Sequence, residues 1–170
     1  MSVATRTNGA QQDSRTTEHL LGIFANFLRL LPADSAVRIR TLAKFVEGDY
    51  DKIARLVQVR GDYSARLGKV EREIAEQRNT MDEEEAEDMR EEWLSRRLDA
   101  GLFGIQTTDM ILAWLCAEDG GARKKIAQLL EGKGGMQGVR DTLKGKSFNT
   151  MVVDEADFDR IDGIDGDRRT

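Results

Sequence analysis

The sequence predicts an all-α protein of stacked antiparallel helices, and three observations support this fold class. Charged residues make up 34% of the 170-residue chain, and proline occurs once, at Pro32. Apolar residues recur at spacings of three and four, the period of an amphipathic helix. No strand pattern precedes Met151. High charge with few helix breakers favours helices, and an apolar content of 39% is enough for one domain with a core.

The first helix is predicted to follow a polar leader. Residues 1–16 contain no apolar core of the signal-peptide kind and are predicted to be disordered. From residue 17 to Pro32, where the pattern stops, the apolar residues keep helical spacing and cover about half of the helix circumference, more than one neighbouring helix would bury. We therefore predict weak self-association through four of them: Leu20, Phe24, Phe27 and Leu31.

Two further helices are predicted before a break at residues 79–81. Asp34 or Ser35 can cap the first of them, whose apolar residues are Val37, Ile39, Leu42, Phe45 and Val46, and Gly48 ends it. Asp49 is predicted to cap the second, longer one. A seven-residue apolar repeat with one misfit, Arg60, runs along this longer helix: Ile53, Leu56, Tyr63, Leu67, Val70 and Ile74. The repeat is typical of a coiled-coil seam for homo-oligomerisation, and equally of a long helix packed on a neighbouring pair.

An acidic run follows the break. Eight acids lie between residues 82 and 92, with Arg90 as the one base among them. Such a run is either a solvated helix start or a docking surface for a basic segment. Under the second interpretation the partner-contact residues are Asp82, Glu83, Glu84, Glu85, Arg96, Arg97 and Asp99.

Residues 102–115 are predicted to form the central helix of the domain, because they are apolar nearly all round. Arg96 is spaced to pair with Glu92 and with Asp99. Gly101 and Gly104 allow a neighbouring helix to approach closely. Two shorter helices, at 122–130 and 136–143, complete a helical domain over 17–146, and 147–170 is predicted to be an acidic, largely disordered tail.

The sequence predicts neither catalysis nor a cofactor nor a metal site. His19 and Cys116 are single and far apart, so they form neither a triad nor a histidine-based metal site. The GKS at 145–147 lacks the earlier glycine of a phosphate loop, since Arg140 stands there. VVDEAD at 152–157 matches a helicase acidic box but lacks the accompanying βαβ pattern. The final residues depart from the ligand order of a calcium loop.

Charge and hydropathy narrow the range of partners. A net charge of −5 offers no basic excess for nucleic acid, so we expect protein partners and no direct nucleic-acid binding. The longest apolar stretch, 102–117, is too short and too polar to span a bilayer, and we expect no membrane association. A lone cysteine in an apolar run predicts an intracellular protein without a disulfide framework.

One segment carries a family resemblance. RRLDAGLF at 96–103 resembles the signature of the beta-catenin-like protein 1 family. LAKFVEGDYDKIARL at 42–56 and RKKIAQLLEGKGGMQGVRDTLK at 123–144 resemble flanking segments of the same family, in the same order and spacing. The resemblance covers roughly residues 17–144.

The resemblance implies an armadillo/HEAT-like fold, the C-terminal portion of an α-superhelix. It also implies a nuclear, non-enzymatic protein-interaction scaffold of pre-mRNA splicing, associated with the NineTeen complex. Members of this family bind basic, localisation-type segments of splicing factors and, in vertebrates, activation-induced cytidine deaminase. The alternative function from the residues themselves is a helical homo-oligomerisation module that uses the 53–74 heptads.

Overall fold

A computed structural model of the chain describes residues 4–32, 34–132 and 134–143, and every element in these ranges is an α-helix. The helices are α1 (Ala4–Leu30), α2 (Ala36–Arg78), α3 (Glu83–Asp88), α4 (Arg90–Asp99), α5 (Leu102–Glu118), α6 (Gly120–Leu130) and α7 (Gly135–Leu143). The all-α prediction of stacked helices is confirmed. The GKS at 145–147 and the predicted tail at 147–170, with its VVDEAD and calcium-like segments, lie outside the described residues.

Helix α5 is the centre of the molecule, as its composition predicts. All its residues are buried except Phe103, Met110, Ala117 and Glu118. Helices α1, α2, α4, α6 and α7 all pack against it. A helix surrounded in this way has no exposed polar face, and even its polar residues 106–109 are buried.

Helix α1 is longer than predicted. It begins at Ala4, so the segment predicted to be a disordered leader continues the helix from residue 4. The segment has no proline, and extending an existing helix avoids the cost of nucleation, so polar residues can continue it. The helix ends at Leu30, just before Pro32, as predicted.

Helix α2 is interrupted where Gly48 predicts a break. Ser35 caps it by accepting a hydrogen bond from the Arg38 amide at 3.2 Å. Residues 47–50 leave the helical conformation, and Gly48, Asp49 and Tyr50 have φ values of 62°, 53° and 65°. Asp49 is therefore left-handed, not in the extended conformation of the predicted N-cap. Its carboxylate lies 3.3 Å from Lys125 Nζ of α6, and the Tyr50 hydroxyl lies where a Cβ on Gly121 would stand.

The predicted apolar face of residues 36–46 is partly wrong. Val37 and Ile39 are more than half exposed, and Arg38 between them is buried. Arg38 is buried because its guanidinium binds groups at the ends of two helices. It donates to the carbonyls of Leu28 and Leu31, at 3.2 and 2.8 Å, and to Glu118.

The apolar residues of the seven-residue repeat pack against other helices of the same chain. Ile53, Tyr63, Leu67 and Ile74 are 4% exposed or less, and three of them join the core cluster with α5. The interpretation as a long helix packed on its neighbours is therefore correct, and the seam is not available for the homo-oligomerisation module predicted as the alternative. No single helix among the described residues has the length and hydropathy of a membrane span, although the bent pair α4 and α5 passes that test on composition.

Candidate interaction surfaces

The acidic run forms the exposed helix α3 and the start of α4. Asp82 is the N-cap of α3 and accepts a hydrogen bond from the Glu85 amide at 2.9 Å, while Glu85 Oε2 accepts one from the Asp82 amide at 3.2 Å. This capping box explains why so acidic a segment is helical. Glu87 pairs with Arg90 at 2.7 Å. All eight acids between residues 82 and 92 are exposed, so their charge faces solvent.

The two arginines of RRLDAGLF bind α2. Arg96 donates to Gln77 Oε1 and Glu73 Oε2, both at 2.7 Å, in place of the pairs predicted with Glu92 and Asp99. Arg97 donates two hydrogen bonds to the Glu71 carboxylate, at 2.7 and 3.1 Å. A partner contact through Arg96 and Arg97 would have to compete with these bonds. Asp99 is exposed at the end of α4.

The glycines of the same segment allow the close approach that the sequence predicts. Gly101 has a φ of 102°, which favours glycine, and it ends α4 and begins α5. A Cβ at Gly101 or at Gly104 would overlap the ring of Tyr63 in α2. RRLDAGLF is therefore the junction of α2, α4 and α5: arginines fix α4, and glycines let Tyr63 reach the α5 backbone.

Two buried arginines were not predicted from the sequence. Arg60, the misfit of the heptad pattern, pairs with Asp109 of α5 through Nε and, at 3.2 Å, through Nη2. Burial raises the pKa of the Asp109 carboxyl, and the Arg60 guanidinium opposes that rise. Arg38 lies 3.9 Å above the ring centre of Trp114. The sequence did contain a sign of the first pair, because Arg60 interrupts an apolar repeat and Asp109 lies within an apolar helix. Arg38 gave no such signal.

The two residues considered for catalysis have different surroundings. His19 is exposed on α1. Cys116 is buried, and desolvation raises the pKa of its thiol to about 12, so it lacks the thiolate character of a nucleophile. Across the described residues no group of three or more His, Cys, Asp or Glu side chains is placed to hold a metal ion.

The face predicted to self-associate lies on α1. Leu20, Phe24 and Phe27 are exposed, and Leu31 is half-buried beside the Arg38 contact. Ile23 and Leu30, which were not predicted, are exposed beside them. Phe24 also packs edge-on against Phe45 of α2, with ring centres 5.7 Å apart.

Comparisons with known proteins point to one family. The family model described as "Catenin-beta-like, Arm-motif containing nuclear" matches residues 1–144. The beta-catenin-like protein 1 homolog of Schizosaccharomyces pombe is 37% identical over 114 residues, which are 67% of this chain and 20% of that protein. Human beta-catenin-like protein 1 is 34% identical over 137 residues, 78% of this chain and 24% of that protein. The chain thus spans about a fifth to a quarter of these relatives.

Proposed function

Because the chain belongs to the catenin-beta-like family of Arm-motif containing nuclear proteins, we propose that it is a non-enzymatic helical scaffold that binds other proteins. The resemblance seen in RRLDAGLF is confirmed by this family assignment. We place the scaffold in the nucleus, among the proteins of pre-mRNA splicing and the NineTeen complex, because of that resemblance.

The main support for this proposal is that three arginines, two of them buried, form ion pairs that hold helices together. The buried Arg38 and Arg60 each bind a carboxylate of α5, and the partly exposed Arg97 binds Glu71 and holds α4 on α2. These groups join helices, and none of them is free for chemistry on a substrate. Because these charged groups stabilise helix packing, we infer that the exposed surfaces of the helices carry the function.

The surface that we assign to a partner is α3 with the start of α4. Its exposed acids suit a lysine- and arginine-rich segment of the localisation type, as the family resemblance implies. Exposed ion pairs contribute about 0–1 kcal/mol each, so several acids have to act together. The attraction also has to weaken with salt, because the Debye length falls from ~10 Å at 0.1 M to ~3 Å at 1 M.

The test is a titration with a fluorescent basic localisation-type peptide. Glu83→Gln with Glu84→Gln removes two exposed charges and keeps the capping box of Asp82 and Glu85 intact. We expect about 5-fold weaker binding for this variant, from roughly 0.5 kcal/mol per pair. The matched control is Asp62→Asn with Glu76→Gln, which removes the same charge from exposed positions of α2.

The two variants separate a local surface from general charge attraction. If both variants weaken peptide binding equally, only the net charge of the chain matters. If the affinity changes neither with salt nor in either variant, the partner site lies elsewhere. Capture from nuclear extract, read by mass spectrometry, then tests the splicing assignment. Splicing factors should be recovered with the native chain and the control variant, and depleted with the α3 variant.

A further inference from the structure

Helix α1 carries a second apolar stripe beside the one that it buries. Leu21, Ala25 and Leu28 face the core and are 6% exposed or less. Five large apolar side chains of the adjoining stripe are between 39% and 75% exposed: Leu20, Ile23, Phe24, Phe27 and Leu30. We call these five residues, with the exposed Val37 and Ile39 of α2, the outer face.

The outer face has the shape and composition of a helix-packing surface. Its α1 residues repeat at spacings of three and four, which makes a ridge along one side of the helix. At 100° per residue, the charged Glu18 and Arg29 of α1 fall on the opposite side. Between residues 18 and 30, a partner that covers the outer face therefore meets no charged side chain of α1.

We propose that the outer face binds the same face of a second copy of this chain, with the two α1 helices antiparallel. The outer face of α1 begins at Leu20, and with the half-buried Leu31 that follows Leu30 its midpoint lies between Ala25 and Asn26. A two-fold axis there places Phe24 opposite Phe27 of the second copy, and Leu20 opposite Leu30 and Leu31. The pattern is thus complementary to itself, with aromatic residues at the centre and leucines at both ends, as an isologous interface requires.

The exposed area sets the strength of the interaction. The seven side chains of the outer face expose at most roughly 100 Å² each, because aromatic side chains present about 150–250 Å², aliphatic ones present less, and these are about half exposed. Complete coverage would bury about 700 Å² per copy, slightly below the ~800 Å² of a standard interface. An area of this size allows a dimer but does not by itself set its affinity, so we expect an equilibrium that depends on concentration. This inference is independent of the proposed acidic partner surface on α3.

The first test is sedimentation equilibrium of the full chain from micromolar to near-millimolar concentration. We expect a reversible monomer–dimer equilibrium in the native chain. Phe27→Lys with Leu30→Lys should keep the chain monomeric without lowering its melting temperature, since both side chains are already exposed. Leu98→Lys is the matched control, because Leu98 is 51% exposed and belongs to α4, which contributes no residue to the outer face. A native chain that stays monomeric throughout, or a control that dissociates as readily, overturns the proposal.

The second test determines the orientation of the two helices. Leu20→Cys and Leu30→Cys variants should form a disulfide when mixed, because the antiparallel arrangement brings these positions together. Neither should cross-link with itself, since identical positions then lie more than ~10 Å apart along the helix axis. Self-cross-linking of either variant alone, without the mixed product, contradicts the antiparallel arrangement. The native Cys116 is buried and gives no background.

Discussion

Arg60 illustrates how single residues organise this molecule. It occupies a heptad position where an apolar side chain is expected, and it is buried because Asp109 faces it from α5. Neither charge is stable in the core without the other, since each loses its hydration there. We therefore expect the pair to fix the register of α2 on α5 more specifically than apolar contacts do.

Replacing one member of this pair should destabilise the chain much more than replacing both with apolar residues. Arg60→Ala leaves the Asp109 carboxylate buried without its guanidinium, and we expect a loss of about 3–5 kcal/mol in the free energy of unfolding. Arg60→Met with Asp109→Leu should recover most of that loss. Arg97→Ala, at a partly exposed pair, should cost no more than about 1 kcal/mol. Urea unfolding measures all three, and equal losses for Arg60→Ala and Arg97→Ala would refute a buried-pair role.

At this scale the sequence predicts some residues and misses others. The close approach at Gly101 and Gly104 follows from their size and is confirmed by Tyr63. The partners of Arg96 could not be found, because spacing along one helix identifies only local pairs, whereas Glu73 and Gln77 come from another helix. Arg38 was missed for the same reason: its partners are helix-end carbonyls and Glu118, which no local pattern reveals.

At the scale of elements, the contact between α2 and α5 depends on a missing side chain. Gly104 lies within α5, where glycine weakens a helix by about 1 kcal/mol relative to alanine. It is tolerated because its backbone touches the Tyr63 ring. Gly61 of α2 provides the comparison, since a Cβ there would meet nothing within 4 Å.

The two glycines should therefore respond to alanine with opposite signs. Gly61→Ala should stabilise the chain by about 0.5–1 kcal/mol through helix propensity alone. Gly104→Ala should destabilise it by about 1–3 kcal/mol, because the new methyl group displaces Tyr63. Thermal or urea unfolding of both variants measures the two changes in stability. Stabilisation by Gly104→Ala would show that the α2–α5 contact is looser than described.

Element boundaries were predicted well where a breaker marks them and poorly elsewhere. Pro32 and Gly48 lie at real ends of helical segments, and the break at 79–81 is present. The left-handed conformation of Asp49 and Tyr50 was not predictable, since both are non-glycine residues held by contacts to α6. The start of α1 at Ala4 was missed because a polar extension of a helix leaves no apolar pattern.

At the scale of the whole molecule, the apolar segment that forms α5 is the feature that predicts how the other helices are arranged. A helix that is apolar on all sides requires neighbours on all sides, so the central place of α5 was predictable. The use of the heptad seam was not, because a seam within one chain and a seam between chains have the same sequence pattern. The candidate interaction surfaces were predicted as positions, but only the structure distinguishes the exposed acids of α3 from the engaged Arg96 and Arg97.

Amide hydrogen exchange across the chain tests the central place of α5 most directly. If five helices pack around it, the hydrogen-bonded amides of 105–116 should exchange only through global unfolding, with an opening free energy equal to the free energy of unfolding measured in urea. The amides of α3, which has no buried residue, should exchange far faster. Exchange in α5 as fast as in α3 would contradict the account, because its amides would then open without unfolding the helices around it.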